Sequence, residues 1–326
     1  MKRRVVLGHF FGAAATIGFA RPVVAQSYPV RTIKIVVPYA AGGSPDTVAR
    51  ILVQPLSAAL GQSVVIENLP GSGGVAAIEQ VKRAAPDGYT LIGCDAGHWA
   101  VNRLIRKQLP YNFEKDLAPV SMLSTSALFL AVHESVPATN LQELVAAVRA
   151  RPGFYSYGSS GVGSLHHLTM EAFKAGLGLD ILHVPYKGTG QSVPALAAGQ
   201  VGMAIAAYNS VRPFAQSGKL RILAANTRER ASILKEFPPM GDAGLKDFHF
   251  PGENALFAPA GTPRAVIDTL SAAIARAHRD PETIAKLHAA GVEPPANSTA
   301  AALAETIQRD IARYQAAVKA AKIEPD

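Results

Sequence analysis

"TIKIVVPYAAGGSPDTVAR" (Thr32 to Arg50) passes from an apolar, β-branched run through two glycines into a helical pattern. Ser44 can cap a helix, Pro45 fits its first turn, and Asp46 suits its positive end. Val48, Ile51, Leu52, Leu56, Ala59 and Leu60 recur at helical spacing, so one face of the helix packs on a sheet. Pro55 lies within this pattern and predicts a kink or an early end. A second stretch, "YGSSGVGSLHHL" (Tyr157 to Leu168), repeats the grammar of strand, glycine turn and helix. At both places a helix start offers unpaired amides, and glycine lets a ligand approach them closely. Two such turns far apart in the chain suit two lobes that close on one small anion.

Working outward, Val- and Ile-rich runs alternate with helical patterns: "TIKIVVPY", residues 46–60, "SVVIENLP", residues 75–84 and "YTLIGCD". That alternation predicts parallel α/β units. "SMLSTSALFLAVH" reads as one long strand crossing between lobes. A second series follows: a helix over 141–150, the strand "FYSYGSS", a helix over 165–175, the strand "ILHVPY", the short helix "SVPALAAG", and the strands "QVGMAIAAY" and "LRILAANT". The second lobe is therefore expected to repeat the first. After the strand "ENALFAPAG", helices at 263–278, 281–290 and 300–321 have no strands of their own and are expected to pack back on the first lobe, so that the chain crosses twice.

The amino terminus carries Lys2, Arg3 and Arg4, then an uncharged, mostly apolar stretch to Ala20, and a small-residue end at Ala25. This pattern predicts an exported protein whose first 25 residues are a cleaved signal peptide, with the Sec and twin-arginine routes both open. Removing that leader takes Lys2, Arg3, Arg4 and Arg21 and no acid, so the formal charge falls from +8 to +4. No basic block suggests a nucleic-acid partner. The one cysteine, Cys94, sits in an apolar run, which excludes an intramolecular disulfide or a multi-cysteine metal site and reads as an inert buried thiol.

As a binding loop, the first turn would present the phenol of Tyr39, the amides of Ala41, Gly42, Gly43 and Ser44, and the helix start at Asp46. The same residues are also ordinary turn chemistry. The second turn adds Ser159, Ser160, Gly161, Gly163 and Ser164, whose hydroxyls can donate alongside the amides. Enzyme signatures fail here. A nucleophile elbow would need glycine where Val162 stands, and neither turn holds a P-loop lysine or a full dinucleotide fingerprint. His166 and His167 are adjacent and point about 100° apart on a helix, so they cannot share a metal; one is expected on a polar neighbour, the other in solvent. No metal, cofactor or catalytic residue is therefore assigned. An exported hydrolase or lyase using Ser160, His167 and an acid such as Asp95 is the competing reading. The third glycine turn, in "LPGSGGVAAIEQV" (Leu69 to Val81), reads as a plain loop, with a role for its amides in the anion pocket left open. His98, after the strand ending at Asp95, is read as a hydrogen-bond donor to ligand, and Lys187 as either solvated or facing the cleft.

Taken in order, "VVPYAAGGSPDTVAR", "VVIENLPGSGG", "APDGYTLI", "LPYNFEKDLAPV", "GSSGVGSLHHLTMEAF", "HVPYKGTGQSVPALAAGQV", "GKLRILAANTRER" and "APAGTP" resemble the pattern of the Bug family of extracytoplasmic solute receptors, the substrate-binding proteins of tripartite tricarboxylate transporters. The resemblance spans nearly the whole chain after the leader. It implies a periplasmic α/β protein with a two-lobed, Venus-flytrap fold and crossing strands: lobe 1 at 26–124 and 254–326, lobe 2 at 125–253. It also implies a small carboxylic acid held by the loops at 39–46 and 159–164, with Ala96 to His98 and His167 contributing, and a membrane permease or a sensor protein as partner. Glu253, Asn254 and Ala255 stand where relatives often include a tryptophan, and Asn209 where they often have an acid. Asn209 is marked as a ligand contact on that account, with room for a different amine or hydroxyl on the ligand.

Overall fold

The computed structural model describes residues 28–230, 233–245 and 248–320, with Ile323 and Pro325; the expected leader lies outside the described residues. From the amino terminus, β1 (Ile33–Val37), α1 (Ser44–Leu60), β2 (Val64–Asn68), α2 (Val75–Lys82) and β3 (Thr90–Asp95) form successive β/α units. β1 lies between β2 and β3 and runs parallel to both, with Ile35 opposite Ile66 on one side and Leu91 on the other. Two single-turn helices, α3 (Asn102–Ile105) and α4 (Phe113–Asp116), then lead into β4 (Leu117–Ser124).

Pro55 neither ends nor shortens α1, which runs through it to a left-handed Gly61. A proline inside a helix costs about 3 kcal/mol. Val48, Leu52 and Leu56 are each buried on the sheet side, and full burial of such a side chain is worth about 1.5–3 kcal/mol. The packing of the apolar face outweighs the lost hydrogen bond.

The expected long crossing strand is two strands. β4 ends at Ser124 and β5 (Leu128–His133) begins in the other sheet. The residues between leave the ladder because they bind other segments: Thr125 exchanges backbone hydrogen bonds with Glu293, and Ser126 accepts from the amide of Gly252 at 2.8 Å. Then come α5 (Leu141–Ala150), β6 (Ser156–Ser159), α6 (Leu165–Leu177), β7 (Leu182–Pro185), α7 (Thr189–Ala197), β8 (Met203–Ala207), α8 (Tyr208–Gln216) and β9 (Leu220–Ala225). α8 was not foreseen: it is only nine residues long, contains Pro213, and buries Val211 as its one large apolar side chain.

The chain returns through β10 (Asn254–Pro259) and ends in α9 (Arg264–Ala277), α10 (Pro281–Ala289) and α11 (Ala300–Ala320). The two sheets have orders β2-β1-β3-β10-β4 and β7-β6-β8-β5-β9. In each, three parallel strands are followed by one antiparallel strand, β10 or β5, and a fifth that pairs antiparallel with it. The second lobe thus repeats the layout of the first, as expected. α9 packs on α1 and β4, α10 on α1, and α11 on β4 and also on α6 of the second lobe.

Candidate functional site

A cavity of ≈ 250 Å³ lies between the lobes, walled by Pro38–Tyr39 after β1, Gly71–Gly74 before α2, Arg106 after α3, Ser160–Val162 after β6, and Pro185–Lys187 after β7. Apart from Arg106, which follows α3, the walls sit at the carboxyl ends of strands or in the loops that leave them, where open α/β sheets place their ligands. Of the residues marked in the sequence, Tyr39, Ser160 and Gly161 line this cavity. The Gly71–Gly74 turn, read as a plain loop, forms one wall, and Lys187 faces the cleft.

The first turn is engaged differently from its reading as a free amide cradle. The Gly42 amide donates to Asp46 Oδ2 at 2.9 Å, and the Ala40 amide donates across the cleft to the Lys187 carbonyl at 3.1 Å. Asp46 also accepts from Arg50 Nε and Asn68 Nδ2, each at 3.0 Å. Burial alone would raise the pKa of Asp46; these donors outweigh it and hold the carboxyl below its ordinary value. Ala41 and Gly42 are exposed, Gly43 is buried against Thr189 of the opposite lobe, and Ser44 Oγ accepts from Asn254 Nδ2 at 3.3 Å. This turn is largely a lobe-to-lobe contact at the cavity's edge.

Behind it, Asp95 acts as a buried hub. Its Oδ1 accepts from Tyr39 Oη and the Gly97 amide at 3.0 Å each, and pairs with His98 Nδ1 at 3.1 Å. The Tyr39 phenol thus directs its proton inward rather than at a ligand. Burial works to raise the Asp95 pKa, but the hydrogen bond and charge of His98, with His166 and Tyr39, keep it low. Ala96 is buried at the start of a π-helical turn, Gly97–Val101. His98 is buried on the same turn, and its Nε2 has no partner.

The second turn is more open to the cavity. Ser160 Oγ shares a 2.7 Å hydrogen bond with His166 Nδ1, while Ser159 Oγ does the same with His183 Nε2 and accepts from the Gly161 amide at 3.1 Å. Ser164 caps α6 by accepting from the His167 amide. Gly163 closes on lobe 1, its Cα facing Asn102 Oδ1. The histidine that reaches Ser160 is His166, and burial keeps its pKa down. His167 is half-buried rather than free in solvent, and it stacks on His183 with the ring centroids 4.2 Å apart. The competing Ser160–His167–Asp95 arrangement is therefore not formed, since His167 is stacked elsewhere and Asp95 is bound to Tyr39, Gly97 and His98. Asn209, in the first turn of α8, donates to Thr47 Oγ1 across the lobes at 3.0 Å, and its Oδ1 is buried without a partner. Among the described residues, no group of three or more His, Cys, Asp or Glu is placed to hold a metal ion.

Arg106 is the charged wall residue that sequence reading missed. Its Nη2 lies 3.3 Å from the carbonyls of Ser72 in lobe 1 and Val162 in lobe 2. Asn102 fixes the same wall by donating to the Gly73 carbonyl at 2.8 Å. Among the described residues no acidic side chain lines the cavity, whereas Arg106 and Lys187 both do. Chemically, this is a space for a small anion.

The model of the tripartite tricarboxylate transporter family receptor matches residues 48–323. Protein BugT of Bordetella pertussis (strain Tohama I) is 34% identical over 308 residues, 93% of this chain and 94% of that protein. Among solved structures, a protein of R. palustris with adipate superposes with a TM-score of 0.88 at 32% identity, covering 92% of this chain and 100% of its own. MatC from Rhodopseudomonas palustris with bound malate gives 0.85 at 32% identity, covering 89% and 100%. A match that begins inside α1 and ends beyond α11, on a chain folded into the same two lobes, places this protein in the tripartite tricarboxylate transporter receptor family.

Proposed function

We propose that this protein is an exported, periplasmic receptor that captures a small carboxylate between lobe 1 (26–124 and 254–326) and lobe 2 (125–253) and hands it to the membrane permease of a tripartite tricarboxylate transporter. The observation that carries this reading is the cavity between the lobes, walled by glycine-rich loops and two cations and, among the described residues, by no acidic side chain. Adipate and malate in the two structural relatives are both carboxylates, which supports the same ligand class here. Closure would exchange the hydration of the acid for oriented amides, the Ser160 hydroxyl and cationic groups in a space of low polarity. In this reading each marked residue has a part. Ser160 and Gly161 touch the ligand, while Tyr39, Asp95, Ala96 and His98 hold the wall behind it. Ala41 to Asp46 and Asn209 join the lobes, and Ser159, Gly163, Ser164 and His167 shape the second turn. Nothing in this arrangement requires turnover.

Isothermal titration of the mature protein with adipate, malate, succinate and their uncharged diamides tests the reading. Saturable one-to-one binding of at least one acid, with none for its diamide, is expected. A protein that binds none of the acids, or binds the diamides equally well, would falsify the carboxylate assignment.

A further inference from the structure

Two serine–histidine pairs stand side by side at the end of β6, and only one of the serines reaches the cavity. Ser159 Oγ is used up within its own turn: it shares a 2.7 Å hydrogen bond with His183 Nε2, accepts from the Gly161 amide at 3.1 Å and lies 3.3 Å from the Gly161 carbonyl. Ser160 stands in the cavity wall, and the one partner of its Oγ among the described residues is His166 Nδ1, at 2.7 Å. His166 is buried in the first turn of α6 and does not itself line the cavity. Lobe 1 closes over the start of that helix, where a Cβ on Gly97 would lie 3.0 Å from the Leu165 amide nitrogen, and the charge of Asp95 reaches the ring across the lobes. Burial outweighs that charge and holds the pKa of His166 below its ordinary value, so the ring is neutral at pH 7 and carries one proton.

The place of that proton decides what Ser160 can do. With it on Nε2, Nδ1 takes the serine proton and Oγ offers the cavity only its lone pairs. With it on Nδ1, the ring donates to Oγ and the serine proton is free to turn outward. An ionised carboxylate accepts hydrogen bonds and donates none, so only the second arrangement grips it. A serine nucleophile would need the first, with the ring as its base.

We infer that His166 is a positioning residue: by holding its proton on Nδ1 and donating that N–H to Ser160 Oγ, it turns the serine hydroxyl toward a carboxylate in the cavity. The inference rests on the receptor reading. It makes His166 matter to affinity through Ser160 and not through any contact of its own with the ligand.

A double-mutant cycle on the mature protein tests this, with adipate, malate and succinate titrated calorimetrically into the unaltered protein, Ser160→Ala, His166→Phe and the double variant. Ser160→Ala should weaken binding of the best acid by roughly 10- to 100-fold, the effect of one hydrogen bond to a charged acceptor. His166→Phe should weaken it by about threefold or more in the presence of Ser160 and cost nothing further in its absence. His166→Asn, whose amide can donate from the place of Nδ1, should recover most of the affinity. If either single substitution costs no affinity, or if His166→Phe costs as much in the Ser160→Ala background, the residue does not act through the serine, and the inference is overturned while the receptor reading stands. Binding of none of the three acids by the unaltered protein would instead remove the receptor reading. Nitrogen-15 NMR of the histidine rings decides on the unaltered protein even where a variant fails to fold. With the acid bound, His166 should carry a proton on Nδ1; a bare Nδ1 overturns the inference.

Discussion

Gly73 shows how one residue without a side chain sets the cavity. Its φ of +62° lies in the left-handed region, and a Cβ there would meet the Val162 carbonyl at 2.9 Å as well as Arg106. Gly73→Ala should therefore cost roughly 1–2 kcal/mol in backbone strain and push the lobes apart at the ligand. The expected outcome is a carboxylate affinity lowered by about tenfold or more, the equivalent of about 1.4 kcal/mol, with unchanged far-ultraviolet circular dichroism; calorimetry showing full affinity would remove the Gly71–Gly74 turn from the site. This turn was read as a plain loop, whereas part of the wall after β6 was legible in advance. A glycine turn between an apolar run and a helical pattern has few physical uses, and Ser160 and Gly161 were found that way. Arg106 was not, because it follows a π-helical turn and a single-turn helix, neither of which has a hydrophobic period long enough to register. The inward aim of Tyr39 was hidden for a related reason: it depends on Asp95, which is 56 residues away in the chain and adjacent only once β1 and β3 pair.

Among the elements, α11 has the most unusual anchorage. Asp310, fully buried on it, accepts from Trp99 Nε1 of the π-helical turn at 3.0 Å and shares a hydrogen bond with Glu253, which directly precedes β10 on the crossing segment. Arg313 lies 3.1 Å from Asp310, Arg309 lies 3.9 Å from Glu253, and the Tyr314 hydroxyl is buried beside both acids. Burial, and then the charge of Asp310, raise the Glu253 pKa from 4.5 to about 8, so the two carboxyls hold a proton between them at neutral pH. In the unfolded chain Glu253 loses its proton near 4.5, whereas the folded protein keeps it until about 8. The contribution of this group to stability is therefore complete below pH 4.5 and is lost as the pH rises toward 8. Glu253→Gln, which keeps the hydrogen-bonding shape without the titration, should flatten the fall of Tm across that interval and should be relatively more stable at pH 8. Thermal melts of the two proteins at pH 5, 6.5 and 8 check this, and parallel curves would refute it. The element map itself was largely open to sequence reading, since α1, α5, α6, α9 and α10 carry strong apolar stripes. It failed where tertiary contacts decide, as at the β4–β5 break, where Thr125 and Ser126 bind Glu293 and Gly252, and in α8.

On the scale of the whole molecule, the lobes meet at several points besides the cavity. The Ala40 amide reaches the Lys187 carbonyl, Asn209 reaches Thr47, and Arg212 donates to the Ala289 carbonyl at 2.9 Å. The lobes also share apolar packing where α11 lies on α6, while the crossing segments at 125–127 and 250–253 lie side by side and hydrogen-bonded, which is the construction of a hinge. A ligand can drive closure only through its preference for the closed arrangement. Gly190, in the first turn of α7, isolates that step. A Cβ there would come within 2.0 Å of the Ala41 carbonyl oxygen of the opposite lobe, yet its backbone is helical. Gly190→Ala should thus favour the helix by up to about 1 kcal/mol while preventing the lobes from meeting. The two effects have opposite signs and fall on different measurements. The Tm of the ligand-free variant should equal or exceed that of the unaltered protein, whereas its carboxylate affinity should fall by roughly tenfold or more. Small-angle scattering should show a decrease in radius of gyration on adding the acid to the unaltered protein and none in the variant. If the variant binds and compacts normally, the lobes do not need the contact between the first glycine turn and α7, and the hinge-closure account of capture is wrong.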